Sequence, residues 1–149
     1  MAAPPQTVRR ECGSVAETEA AAAEFAQDLA PGDWVGLIGT LGAGKSVFAR
    51  AVARALGVTS AIPSPTFTIL NCLSGRLPVY HIDCYRVSTA SELEFAGVWS
   101  CFDSDGVCLV EWADRIPEAW PDNAWIVSIE AIDAVRRRIA ITRHQLGHA

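Results

Sequence analysis

The sequence predicts an α/β protein, a single-domain sandwich around a central, mostly parallel sheet with antiparallel additions and a C-terminal hairpin. Three observations carry that expectation. Trp34-Val35-Gly36-Leu37-Ile38 is an unbroken apolar run, suited to a strand buried on both faces, and it leads through a glycine-rich stretch into a helical pattern. Val107-Cys108-Leu109-Val110 is a second run of that kind. Residues 124–130 and 135–142 alternate as the two strands of a closing hairpin do. Strands interleaved with helices place the first loop at the carboxyl edge of a sheet.

Taken in order, residues 7–12 read as a short strand. Residues 15–30 are rich in Ala and Glu, with Phe25 and Leu29 four apart, and read as a helix. Ser14 is its expected N-cap, with Glu17 completing a capping box, and Pro31-Gly32-Asp33 stops it. After the strand at 34–38 comes a loop at 39–44, then a helix at 45–56 that ends at Gly57. Phe67 to Leu73 and Pro78 to Asp83 read as two strands joined by a turn at Ser74-Gly75, and 89–96 as a short helix.

With 149 residues, 50% hydrophobic and 19% charged, the chain is expected to form one domain over 1–149 with a sizeable core, its ends at 1–6 and 143–149 flexible. No apolar run reaches about 18 residues, so no membrane span is expected. The N-terminus has no charged start followed by an apolar stretch, so no secretory signal is read. Five cysteines (12, 72, 84, 101 and 108) are odd in number, scattered and without a C-x-x-C pair. They read as free thiols in a reducing compartment, the cytoplasm. The net charge of −5 argues against stand-alone nucleic-acid binding; Arg136-Arg137-Arg138 is the local exception.

Residues 39–46, Gly39-Thr40-Leu41-Gly42-Ala43-Gly44-Lys45-Ser46, fit the phosphate-binding pattern G-x-x-x-x-G-K-[ST] in full. Glycines let the backbone curl so that successive N–H groups face phosphate oxygens, and the following helix adds its positive end. Lys45 supplies a point charge for the β and γ phosphates, and Ser46 a hydroxyl for magnesium. A chance match in a chain this long is about 1 in 200. Of the twelve basic residues eleven are arginine, and the sole lysine falls on this position. A compact ammonium fits the loop where a planar fork does not. The fold class sharpens accordingly to a P-loop NTPase-like sandwich.

Such a loop needs an acid at the end of a neighbouring apolar strand to hold the metal. Glu111 ends the run at 107–110 and Asp83 ends Val79-Tyr80-His81-Ile82; both stay candidates. His81, in an apolar strand, reads more readily as a core histidine than as a ligand. Trp112 and Trp125 read first as packing residues. The three arginines at 136–138 alternate across a strand, so at most two share a face.

The order of segments resembles the bacterial TsaE family, the small P-loop ATPase of tRNA threonylcarbamoyladenosine (t6A) biosynthesis. The likeness runs from about 7 to 142. It rests on Gly39 to Ser46, Ser64-Pro65-Thr66-Phe67-Thr68, His81-Ile82-Asp83-Cys84-Tyr85-Arg86, Glu92-Leu93 with Gly97, and Val110-Glu111-Trp112. It implies ATP/ADP and Mg2+ as cofactors. The loop residues Gly39 to Ser46 and Val47 would hold the nucleotide, with Lys45 on phosphate and Ser46 and Glu111 on magnesium. Asp83 would serve as a metal-shell or water-positioning acid, and Thr66 as a switch sensing the γ-phosphate. Trp112 would lie beside the nucleotide, with Ser14 and Arg136 on its adenine side. The implied partners are TsaD and TsaB, with tRNA met indirectly through their complex and no membrane. The sequence departs from the family's pattern at Thr40, usually Asp, and at Ser46, usually Thr; serine still supplies the hydroxyl.

Two other functions fit the same loop. A small-molecule kinase would need an acceptor subdomain and an arginine-bearing lid, and no such insertion is legible after the second loop. A nucleotide-gated interaction module with negligible hydrolysis is compatible with the lack of an evident arginine finger in cis.

Overall fold

The computed structural model describes residues 7–62, 69–89, 91–92, 97 and 105–144. Seven strands form one sheet: β1 (Val8–Cys12), β2 (Trp34–Ile38), β3 (Leu70–Ser74), β4 (Pro78–Asp83), β5 (Val107–Glu111), β6 (Trp125–Ala131) and β7 (Arg137–Arg143). Their order is β1-β7-β6-β2-β5-β4-β3. The central four, β6-β2-β5-β4, are mutually parallel. The edges are antiparallel, β3 on β4 at one side and β7 then β1 beyond β6 at the other. The expected parallel centre, antiparallel additions and C-terminal hairpin are all present.

Two helices, α1 (Val15–Ala26) and α2 (Lys45–Ala55), pack together on one face of the sheet. Period-2 alternation sends Val35, Leu37, Val79, Val107 and Leu109 to that face, against Phe25, Phe48, Ala49, Val52 and Ala53. Alternate residues of the same strands, Trp34, Ile82, Cys108 and Val110, go to the other face. There the segment from Ala113 to Ala124 covers them, with two 3-10 turns at Ala113–Arg115 and Pro117–Ala119. Burial on both faces is why these strands read as continuous apolar runs rather than alternating ones.

Ser14 caps α1, its side chain accepting the Glu17 N–H at 3.2 Å. The Glu17 carboxylate reaches back to the Gly13 N–H at 2.7 Å, one residue before the usual capping-box partner. Helix α1 ends at Ala26, four residues short of the expectation. The N–H groups of Gln27, Asp28 and Leu29 bond carbonyls three residues back, which tightens the last turn. Asp33 then takes the Ala30 N–H at 2.9 Å, holding the Pro31-Gly32 turn closed. Helix α2 ends one residue early, at Ala55.

Strand β3 starts at Leu70; Phe67 and Thr68 lie outside the described residues, as does most of the helix expected at 89–96. Strand β7 begins two residues later and ends one residue later than the alternation at 135–142 suggests. Arg143 is held there by pairing with Trp125, by a 2.7 Å bond to the Asn123 carbonyl, and by its guanidinium 3.7 Å over the Trp125 ring. Cys12, Cys72, Cys84 and Cys108 form no disulfide among the described residues; Cys101 is outside them.

Phe48 joins the phosphate loop's helix to the rest of the core. It is fully buried, with its ring 5.9 Å from that of Phe25, which in turn meets Trp125 edge-on at 5.3 Å. Phe48→Ala is expected to cost about 3–5 kcal/mol in denaturant unfolding. A loss below about 1 kcal/mol would mean that α2 is not anchored through this residue.

Candidate functional site

The chain passes from β2 to β4 on one side, returns to β5, and then crosses to β6 on the other side. The carboxyl end of β2 is therefore where the winding reverses, the place where open α/β sheets bind ligands. Residues 39–44 leave β2 there and enter α2. Gly39 hugs β6 so closely that a Cβ would stand 2.5 Å from the Ile129 carbonyl oxygen. Gly42 and Gly44 sit at φ +80° and +108°, the left-handed region that strains any other residue. Gly44 is the N-cap of α2 and offers no side chain to it. The first-turn N–H groups of Lys45, Ser46 and Val47 therefore have no acceptor within the helix, the arrangement that a helix N-terminus can offer to an anion.

Lys45 is buried, and its Nζ donates to the carbonyls of Gly39 at 2.6 Å and Thr40 at 2.8 Å. Because Thr40 contributes its carbonyl, this contact does not depend on residue type at that position. The Trp112 ring lies over the ammonium, 3.9 Å from centroid to Nζ, a cation–π contact of about 1 kcal/mol. Trp112 reaches this position through a left-handed backbone, φ 59° and ψ 38°, a conformation costing on the order of 1–2 kcal/mol. Its ring also meets Tyr85 at 5.0 Å, and Arg115 lies 5.4 Å from both rings. Burial pushes the Lys45 ammonium below its ordinary value, with Glu111, Asp114 and Asp83 pulling the other way.

Ser46 Oγ donates to Glu111 Oε1 at 2.8 Å. The two residues are 65 apart in sequence and meet because β2 and β5 are parallel neighbours, Leu37 opposite Glu111. Glu111 Oε2 lies 2.5 Å from His81 Nε2, and both side chains are buried. Burial alone would raise the Glu111 carboxyl. The bond and charge of His81, the Ser46 hydroxyl and Lys45 outweigh it, and the carboxyl lies below its ordinary value. An ionised carboxylate only accepts, so His81 Nε2 is the donor.

Asp83 stands beside Glu111 in the β4–β5 register and accepts the Tyr85 N–H at 2.9 Å. Its carboxyl is raised, first by burial and then by the charge of Glu111, with the Tyr85 N–H, His81 and Lys45 opposing. A serine hydroxyl with two adjacent carboxylates is an all-oxygen donor set of the kind magnesium takes alongside phosphate. The residues present therefore fit that ion.

Leu41, Gly42, Gly44, Lys45, Ser46, Val47, Glu111 and Trp112 line one cleft of about 270 Å³. Ala43 is buried beneath it. Thr66 lies outside the described residues. Ser14 is occupied in capping α1, and Arg136 is exposed and ion-paired with Asp133 at 2.7 Å. Their neighbours Val15 and Val135 line a second, smaller cavity of about 40 Å³ beside Gly44 and Val47, with Thr18 and Arg137.

Arg137 is the arginine that meets the loop, its Nε donating to the Ala43 carbonyl at 2.7 Å and its second amino group to Gly42 at 3.4 Å. Sequence reasoning passed over it, because strand alternation says that 136 and 137 part ways without saying which faces the loop. His81 was placed correctly in the core, but its partner was not legible. The alternation of His81 with Asp83 on one face was the available signal.

The family described as threonylcarbamoyl adenosine biosynthesis protein TsaE matches residues 12–139. The chain is 42% identical over 127 residues to the tRNA threonylcarbamoyladenosine biosynthesis protein TsaE of Bacillus subtilis (strain 168), covering 85% of this chain and 79% of that protein. It is 38% identical over 130 residues to the protein of the same name from Aquifex aeolicus (strain VF5), covering 85% and 90%. The crystal structure of Bacillus subtilis YdiB superposes with a TM-score of 0.80 at 35% identity, over 95% of this chain and 88% of that one.

Asp83→Asn keeps an oxygen for the Tyr85 N–H and removes a charge that the fold disfavours. A carboxyl raised in the native state imposes its full penalty above that raised value and none below the ordinary 3.8. The variant is expected to have a higher Tm than the wild type at pH 7, the two converging as the pH falls to about 4. A wild type at least as stable as the variant at pH 7 would refute this strain.

Proposed function

The chain belongs to the TsaE family, and on that premise we propose that it is a magnesium-dependent, ATP-binding and ATP-hydrolysing subunit required for t6A modification of adenosine 37 in tRNA. It acts in the cytoplasm with TsaB and TsaD, and meets tRNA through their complex. The relatives' names support the pathway. Among the described residues no helix is long and apolar enough to cross a membrane. The observation that carries the chemistry is the 2.8 Å bond from Ser46 to Glu111, which joins the loop hydroxyl to a strand-end acid.

In this reading the N–H groups at the start of α2 and the Lys45 ammonium bind the phosphates. Ser46 and Glu111 would hold the magnesium ion, with Asp83 beside them. When bound, the ion supplies neutralisation of phosphate charge. Asp83, its carboxyl raised by burial, would orient the attacking water and is placed to accept its proton. Trp112 closes the cleft over Lys45 and limits solvent there. The small cavity at Val15, Thr18, Val135 and Arg137 adjoins the loop through Gly44 and Val47 and would be open to the adenosine part of the nucleotide. Arg137 braces the loop through the Gly42 and Ala43 carbonyls, which keeps it curled.

Lys45→Ala removes the phosphate-binding charge without touching the apolar core. It is expected to weaken ATP binding by at least about 100-fold in calorimetry while thermal unfolding still shows a folded protein. Unchanged affinity would sink the nucleotide reading.

Depletion of the protein is expected to lower t6A in bulk tRNA. Wild-type chain should restore it, and Lys45→Ala or Glu111→Ala should not. Normal t6A after depletion would remove the pathway role and leave a nucleotide binder. Phosphate release that does not rise when TsaB and TsaD are added would favour a nucleotide-gated interaction module over an ATPase.

A further inference from the structure

The ion pairs Arg10–Glu24, Arg136–Asp133, Arg138–Glu11 and Arg138–Glu130 lie at the surface, their side chains 43–68% exposed, and such pairs contribute little. His81–Glu111 differs, with side chains 2% and 3% exposed. A buried carboxylate needs partners for both oxygens, and here each oxygen has one. Oε2 accepts from His81 Nε2 and Oε1 from Ser46 Oγ. The two contacts fix the plane of the carboxylate and decide which oxygen faces the phosphate loop.

Parallel pairing makes this reach possible. His81 is opposite Leu109, and Asp83 opposite Glu111. His81 shares a face with Asp83, so its ring extends diagonally toward the next same-face residue on β5. The contact uses Nε2, the nitrogen farther from the backbone. A side chain that ends at the length of Nδ1 cannot make it.

We propose that His81 is a positioning residue for the divalent cation of this site, holding Glu111 Oε2 so that Oε1 stays directed at Ser46. This rests on the P-loop reading above. His81 is not among the residues lining the cleft, and it acts through Glu111 as outer-shell partners of metal-ligating carboxylates do.

The test is calorimetry of ADP binding, without metal and across a magnesium titration, on the wild type and on His81→Leu, His81→Asn and His81→Gln. A glutamine amide reaches where Nε2 stands; leucine fills volume without a donor, and asparagine carries a donor too short to reach. All three variants are expected to bind ADP without metal as the wild type does. His81→Leu and His81→Asn should need about 10–100-fold more magnesium to reach the tight-binding state. His81→Gln should recover most of that loss.

An unchanged magnesium requirement in His81→Leu and His81→Asn overturns the proposal. So does a His81→Gln variant as impaired as His81→Leu. Failure of all three to show a cooperative thermal transition also overturns it, by making His81 a core residue only. A wild type whose ADP affinity ignores magnesium overturns the P-loop reading itself, before His81 is altered.

Discussion

The bond between Ser46 and Glu111 spans 65 residues of chain and exists only because β2 and β5 run parallel side by side and end level. Everything at the site follows from that adjacency. The end of β2 supplies the loop, the end of β5 supplies the acid, and β4, parallel to β5 on its far side, adds Asp83 and His81. An antiparallel neighbour would bring an amino-terminal end to this edge instead, with no acid to meet the loop. The apolar runs that made these strands visible are also what enforces the arrangement, since each must bury both faces.

The same adjacency concentrates charge where water is scarce. Lys45, Glu111 and Asp83 share one edge of the sheet; burial lowers the ammonium, and the two carboxyls are shifted in opposite senses, Asp83 up and Glu111 down. Glu111 has two hydrogen-bond partners and ionises easily; Asp83, beside it, is held up by burial first and then by the charge of Glu111. Two carboxyls pushed apart in this way can take different tasks, one holding a cation and one handling a proton. Trp112 adds backbone strain to bring its ring over Lys45. A fold that tolerates such costs at one edge needs a firm anchor elsewhere, and the contacts of Phe48, Phe25 and Trp125 supply it.

Most of the elements were legible because their signals are local. The phosphate loop is a contiguous string whose glycines, lysine and hydroxyl have fixed spacing, and the flanking strand and helix carry their own periodicities. Ser14 was readable as a cap for the same reason. Errors fell at ends. Helix α1 stops at Ala26 because the turn closed by Asp33 draws the last residues out of helical register. Strand β7 runs one residue past its expected end because Arg143 pairs with Trp125 and its guanidinium lies over that ring.

Sequence by itself determined the composition of the site and its likeness to a family: the loop, its lysine, and two strand-end acids. It left open how those acids divide, and it did not single out Arg137 over Arg136 or give His81 a partner. These depend on which strands become neighbours and in what register, a matter of long-range packing that no local pattern encodes. Tertiary structure decided the contacts, not the tasks, by setting Asp83 opposite Glu111, turning His81 onto the same face, and aiming Arg137 at the loop carbonyls. A side chain's chemical type is written in the chain, but its partner is fixed only when the sheet closes.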